Sequence, residues 1–518
     1  MYLTQNLHRA LQQQPDAPIS RFGARQRSFA EFGARVARYA GALHKLGLRP
    51  GDRISMLALN SDTYLEYYLG TYWAGGVVNP LNTRLAVAEL AFMLDDCDSK
   101  FLIVDQHFVD TAAKLRAQCP KLQALIYAGE GPAPDGLLSY EALLEGAEPA
   151  EDALRSGDDL AGIYYTSGTT GRAKGVMLTH ANIFSNAVAM VAEGVVSHGC
   201  VGLHSAPMFH LADGAFMNAM LAVGGCHVIV PQFEPVAVLE TLQLERISDV
   251  LLVPTMIQML VDHPKRGDYD LSSVRNILYG ASPIAEALLD RAMAAFPQAG
   301  FVQAYGQTEL SPVATLLLQA MHGEAGRKQG LHKSNGRAMI GCEVRIVDAT
   351  DQELPRGQTG QVLVRGPGVM QGYWKLPEDT AEAKRGGWMH TGDAGYMDAQ
   401  GYVFLQDRVK DMIITGGENV YTIEVENAIA LHPAVAQSAV VAIPDERWGE
   451  AVHAFVVCKP GQSATAEEII AHCKQHIAGY KCPRSVDFIE AMPLSGAGKV
   501  LKRELRKPYW EGRDRQVA

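Results

Sequence analysis

Residues 161–178 read AGIYYTSGTTGRAKGVML. A short apolar and aromatic run of strand character ends at Thr166, an apolar run restarts at Val176, and Thr179 stands as a helix cap ahead of HANIFSNAV. Between them, TSGTTGRAKG at 166–175 holds three glycines, four hydroxyl side chains, one Arg and one Lys. A loop of that composition, slung between ordered elements, suits a polyanion. Glycine lets the backbone approach a ligand, and hydroxyls and free N–H groups donate to phosphate oxygens. It is not the phosphate loop GxxxxGK[ST], because Arg172 and Ala173 separate Gly171 from Lys174, and Gly175 follows the Lys. On composition alone, a surface loop without chemistry stays open.

Outward from this loop, helical and strand patterns alternate. A helix is expected over 28–48, turn and strand through GDRISMLALN, a helix over 61–76, strands at 101–105 and 122–128, and a helix at 108–118. Residues 129–157, rich in Pro, Gly and acid, read as an excursion. A second α/β block covers about 180–320, with strands at 227–230, 249–253, 276–280 and 301–306. Beyond 335, short strands and Gly-rich turns form a β-rich subdomain. After Arg408 the order helix, strand, strand, helix, strand describes a compact α+β unit. The fold class expected is α/β: a large N-terminal domain (1–408) of layered α/β subdomains plus the β-rich subdomain, then a small α+β C-terminal domain (409–518).

The 518 residues leave ample room for a core, and the net charge of −11 argues against nucleic acid as the main partner. An anionic ligand must therefore meet a local positive site. The eight cysteines show no CxxC pair, which reads as reduced thiols in a cytoplasmic setting. No stretch is long and apolar enough to span a bilayer. Peripheral membrane association and a homodimer both stay open.

Five further segments look unlike core: GASP at 280–283 and YGQTE at 305–309, each after an expected strand; WMHTGD ending at Asp393; DRVKDMIITGGENVY at 407–421; and SGAGKVLKREL carrying Lys499. With the opening loop they resemble, in order across about 20–507, the signature motifs of the adenylate-forming superfamily, its acyl-CoA synthetases of the fatty-acyl and feruloyl type in particular. That resemblance implies a two-step reaction: a carboxylate attacks the α-phosphate of Mg-ATP to give acyl-adenylate and pyrophosphate, and the thiol of coenzyme A then displaces AMP. Carboxylate and triphosphate repel each other, so the first step needs cations and oriented dipoles around the reacting oxygens.

Carried over by motif, the resemblance implies that Thr166, Ser167, Gly168, Thr169, Thr170, Gly171 and Lys174 hold the β- and γ-phosphates. Tyr305 and Gly306 would lie against adenine, with Gly280, Ala281 and Ser282 along its edge, and Thr308 would touch the α-phosphate. Glu309, with Thr170, would hold Mg2+, which suits one carboxylate plus phosphate oxygens. Asp393 and Arg408 would bind the ribose. Lys499 would bridge the carboxylate and the α-phosphate, with His210 gating the carboxylate region. The family turns its C-terminal domain between half-reactions about a hinge, here Lys410, after which Gly416, Gly417 and Glu418 would line the thiol tunnel. Lys481 would meet coenzyme A phosphates. Many relatives carry Pro after the Tyr of ENVY, where this chain has Thr422, which removes no chemical group.

The acid should meet Leu211, Ala212, Asp213, Gly214, Met256 and Ser311. Most are small or flexible and apolar, which suits a fatty or arylalkenoic tail. Asp213 is the exception, open to bonding a polar tail or facing water. The rival reading is an amino or aryl acid adenylating enzyme that loads a carrier protein. Leu211, where an acid would have to meet an α-amine, counts against the amino acid case.

Overall fold

A computed structural model describes residues 1–166, 173–408, 411–415, 418–495 and 499–511, leaving aside the side chains of Arg408 and Asn419. Helix Phe29–Lys45 shows how local sequence starts an element. Ser28 accepts from the Glu31 N–H at 3.2 Å while Glu31 accepts from the Ser28 N–H at 2.8 Å, closing a capping box. Phe29, Phe32, Val36 and Leu43, spaced three, four and seven apart, then bury one face. Helix Asp62–Trp73 is buried along its whole length and fills the space between layers with four tyrosines, Tyr64, Tyr67, Tyr68 and Tyr72. Its interior Glu66 is tolerated because Arg35, Arg27 and Tyr140 all donate to it.

Among the described residues the strands form four sheets. The eight-stranded sheet runs from Gly372–Tyr373 through Lys174–Thr179, Leu160–Thr166, Val77–Pro80 and Arg53–Leu57 to Ser99–Val104, Ala124–Tyr127 and Leu138–Ser139. The nine-stranded sheet has a parallel centre, Cys226–Ile229, Val201–His204, Asp249–Leu252, Asn276–Gly280 and Gly300–Gly306, flanked by antiparallel edges. A four-stranded antiparallel sheet follows, ending in Met389–Met397 and Val403–Arg408. The last sheet, of five strands, encloses its own core of Ile413, Val425, Val440, Val452 and Ile469.

The expected strands fall where the pattern put them, but several observed strands were not among them, Val77–Pro80, Lys174–Thr179, Met389–Met397, Ile413–Thr415 and Glu418–Val420 included. The hairpin Pro18–Phe22 with Arg25–Ser28 was not anticipated, and it joins the nine-stranded sheet through Cys226–Ile229, some two hundred residues away in sequence. Strands Val201–His204 and Val313–Leu317 were also missed. The excursion at 129–157 carries helix Tyr140–Glu145, capped by Ser139 and packed on Phe29–Lys45.

Candidate active site

Strands Leu160–Thr166 and Lys174–Thr179 pair antiparallel with Thr166 opposite Lys174, so the opening loop connects a hairpin. Of the residues expected to bind phosphate, Ser167, Gly168, Thr169, Thr170 and Gly171 lie outside the described residues, as do Lys410, Gly416 and Gly417. After the hairpin, Thr179 and Asn182 close a capping box on helix His180–Ala192. Asn182 Nδ2 donates to the carbonyls of Pro367 and Val369, and Asn186 Nδ2 to those of Leu310 and Val313. The helix thereby fastens the YGQTE segment beside the hairpin.

Gly280 and Gly306 end two neighbouring parallel strands, with Gly280 opposite Ala304. A Cβ on Gly280 would stand 2.1 Å from the Ala304 carbonyl oxygen, and one on Gly306 would stand 1.9 Å from that of Pro312. Both positions are glycine because backbone passes too close for a side chain. Ala281 and Ser282 follow at the partly exposed sheet end. From the same strand, the Tyr305 hydroxyl donates to Asp393 Oδ2 at 2.7 Å, with both residues buried. Asp393 lies directly across the ladder from Arg408. The structure thus brings three expected nucleotide-site residues from three sequence regions, 305, 393 and the backbone of 408, to one place.

The next turn carries Thr308 and Glu309. Glu309 is buried, and its Oε1 accepts from the Tyr373 hydroxyl at 3.0 Å. Burial, and then the Glu309 charge, hold that phenol well above its usual range. Lys174 stands over the Tyr373 ring, 5.1 Å from its centre, and pairs with Asp379. Tyr373 and Asp379 thus join Lys174 and Glu309. Sequence reasoning missed both, since an isolated Tyr and an acid in a helical first turn look like core and surface.

His210 caps helix Leu211–Ala222, its Nδ1 accepting from the Ala212 N–H at 3.3 Å. Burial, and then the positive charge of Lys499, push its pKa down to about 4, so the imidazole is neutral at pH 7. Lys499 therefore comes within electrostatic reach of His210 although 289 residues separate them in sequence. Its loop is held on both sides: Ser495 N donates to the Lys499 carbonyl at 2.7 Å, and Lys499 N to Ser495 Oγ at 3.1 Å. Arg84, from the eight-stranded sheet region, donates to the Ser495 carbonyl at 3.2 Å.

The residues expected around the acid divide. Ala212 and Met256 are partly exposed and pack, with Ala304, around one hydrophobic cluster, and Gly214 follows on the same helix. Three of the expected residues are placed otherwise. Asp213 neither faces water nor stands ready for a polar tail: its Oδ2 bonds His204 Nδ1 at 2.8 Å, and His204 Nε2 in turn meets His227 Nδ1 at 2.9 Å, all buried. The first turn of the helix points it at the sheet. Ser311 is buried in a left-handed conformation, and its hydroxyl donates to the Gly368 carbonyl at 2.7 Å. Leu211 packs into the main core instead. Farther off, Glu418 is exposed on strand Glu418–Val420, and Lys481 is paired with Glu424 at 2.7 Å.

Comparison with known proteins identifies the family. Residues 7–374 match the family described as AMP-binding enzyme, and 424–499 match the AMP-binding enzyme C-terminal domain. The feruloyl-CoA synthase of an Amycolatopsis species is 39% identical over 501 residues, 96% of each chain. The fatty acid–[acyl-carrier-protein] ligase ScoC of Streptomyces coeruleorubidus is 34% identical, over 98% of this chain and 96% of its own. The crystal structure of ATP-bound MatB from Rhodopseudomonas palustris superposes with a TM-score of 0.88 at 32% identity, covering 98% of this chain and 99% of that one. The chain belongs to the AMP-binding enzyme family, as an AMP-forming acyl-CoA synthetase that uses ATP and coenzyme A. No helix among the described residues is long and apolar enough to cross a membrane.

Proposed function

We propose that this enzyme activates a hydrophobic carboxylic acid, fatty or arylalkenoic, as its acyl-adenylate and passes the acyl group to coenzyme A. The observations that carry the reading are two pairings between distant parts of the chain, Lys499 with neutral His210 and Tyr305 with Asp393. In the first step an oxygen of the acid attacks the α-phosphorus and the bond to the β-phosphate oxygen breaks. Lys499 offsets the repulsion between carboxylate and phosphate, and uncharged His210 leaves the carboxylate its full attraction to Lys499. Asp393, with Arg408, holds the ribose; Lys174 and residues 166–171 hold the departing pyrophosphate, and Thr308 touches the α-phosphate. In the second step the thiol attacks the carbonyl carbon, loses its proton, and AMP leaves.

A single buried carboxylate, Glu309, fits Mg2+, which takes one or two protein carboxylates and completes its shell with phosphate oxygens and water. The ion would supply charge neutralisation between phosphate oxygens. We place the domain boundary at 408/409, with the C-terminal unit turning about Lys410 so that Gly416, Gly417 and Glu418 reach the adenylate and Lys481 the coenzyme A phosphates. Apolar Ala212, Met256 and Ala304 support a hydrophobic tail. All eight cysteines are unpaired, which supports a cytoplasmic setting.

The test is incubation with Mg-ATP and a panel of fatty, arylalkenoic and amino acids, reading pyrophosphate release with and without coenzyme A and identifying the thioester by mass. A fatty or arylalkenoic thioester formed only with coenzyme A is the expected result, and no such product with any of these acids would sink the reading. The likeness to a carrier-protein ligase favours a second acceptor, so the panel includes a phosphopantetheinylated carrier protein. Transfer to that protein alone would select the rival reading.

A further inference from the structure

We infer that Asp407, Thr422, Glu426 and Lys502 form a positioning cluster that aims Lys499 at the first half-reaction and is undone for the second. The inference rests on the proposed domain movement but on residues with no part in the chemistry. Asp407 is buried next to Arg408 on strand Val403–Arg408, and its Oδ2 accepts from the Thr422 N–H at 2.6 Å. Thr422 opens helix Thr422–Ala430, where a carboxylate is favoured by the unpaired N–H groups. One turn along, Glu426 Oε1 pairs with Lys502 Nζ at 2.8 Å and accepts from the Val440 N–H at 2.8 Å. Lys502 also donates to the Thr422 hydroxyl, and the side chains of Lys502 and Glu426 are each only 18% exposed.

Lys502 begins helix Lys502–Trp510, three residues after Lys499. One turn farther, Arg506 Nη1 donates to Asp411 Oδ1 at 3.1 Å. The start of this helix is therefore tied to both sides of residues 409–410. The two kinds of tie differ. Lys502–Glu426 and Arg506–Asp411 lie within the C-terminal unit and would survive a turn about Lys410. The Asp407–Thr422 bond crosses from the strand that bears Arg408, and a turn would break it. Asp407 is thus the releasable catch, and Lys502 with Glu426 the rigid arm that transmits its position to Lys499.

Asp407→Asn, Lys502→Met and Lys502→Arg test this on the full chain. Acid-dependent exchange between ATP and pyrophosphate reads the first half-reaction, and thioester formation from synthetic acyl-adenylate and coenzyme A reads the second. Asp407→Asn and Lys502→Met should lower the exchange kcat about tenfold, as loss of one charge-assisted hydrogen bond would, with KM for ATP and the second half-reaction within about twofold. Lys502→Arg should restore most of the loss. A readout apart from activity uses Gln258, whose Nε2 donates to the Ala436 carbonyl at 3.2 Å across the units. In a Gln258→Cys, Ala436→Cys protein, disulfide yield should fall several-fold when Asp407→Asn is added. Equal loss in both half-reactions, or cross-linking unchanged by the substitution, overturns the inference. A wild-type protein without acid-dependent exchange whose cross-linking still falls would count against the proposed reaction and leave the cluster standing.

Discussion

At the residue scale, the site consists of ordinary side chains made unusual by their neighbours. The Tyr305 hydroxyl is an example: a core aromatic by itself, it becomes the hydrogen-bond donor that orients Asp393. Tyr305→Phe should raise KM for ATP by about tenfold, the worth of a hydrogen bond to a charged group, while the melting temperature stays near wild type. An unchanged KM would remove Tyr305 from the nucleotide site. Lys499→Ala should abolish acid-dependent pyrophosphate exchange but spare thioester formation from supplied acyl-adenylate. Equal loss of both steps would refute the assignment of Lys499 to adenylation alone. Glu309, Asp393 and Lys499 were legible because they stand in ordered motifs. Tyr373 and Asp379 were not, since their role arises from contact with Glu309 and Lys174 and leaves no local pattern.

At the scale of elements, the close passage of neighbouring strands explains the glycines. Gly280→Ala would push a methyl group onto the Ala304 carbonyl oxygen and force the strands Asn276–Gly280 and Gly300–Gly306 apart. The cost should be about 1–3 kcal/mol, as for other overpacked interiors, read as a lower midpoint in urea. A midpoint within error of wild type would mean that the strand ends can separate freely. Periodicity located helices such as Phe29–Lys45 and Asp62–Trp73 and many of the strands, because their apolar spacing is local. It missed Val201–His204 and Val313–Leu317, the first too short and polar-ended to stand out. It also missed the Pro18–Phe22 hairpin, whose Arg25 and Arg27 read as surface until Asp62 and Glu66 are seen to receive them.

Across the whole molecule, buried histidines tie stability to pH. Burial pushes His180, His210 and His322 down to about 4 and His227 well below its usual value, with His204 adding to the burial of the last. The unfolded chain takes up protons near 6.5 while the folded chain resists, so the stability is fully present above that pH. It is lost as pH falls toward 4. Each group shifted from 6.5 to about 4 contributes on the order of 3 kcal/mol. Denaturation midpoints should therefore fall between pH 7 and pH 5, and a flat profile over that interval would show that these imidazoles take up protons without unfolding.

The sequence alone determined the order of many elements, the family and the identities of the ATP-site candidates. Each of these is written in local spacing and in residue types that few other chemistries need. The tertiary structure decided which candidates meet. Asp213 turned from the acid toward His204, Ser311 toward the Gly368 carbonyl, and Lys499 toward His210. Whether a side chain faces a pocket or a sheet depends on what packs against it, and those partners, at 204, 368 and 210, come from other elements. Local spacing cannot encode an orientation that long-range packing sets.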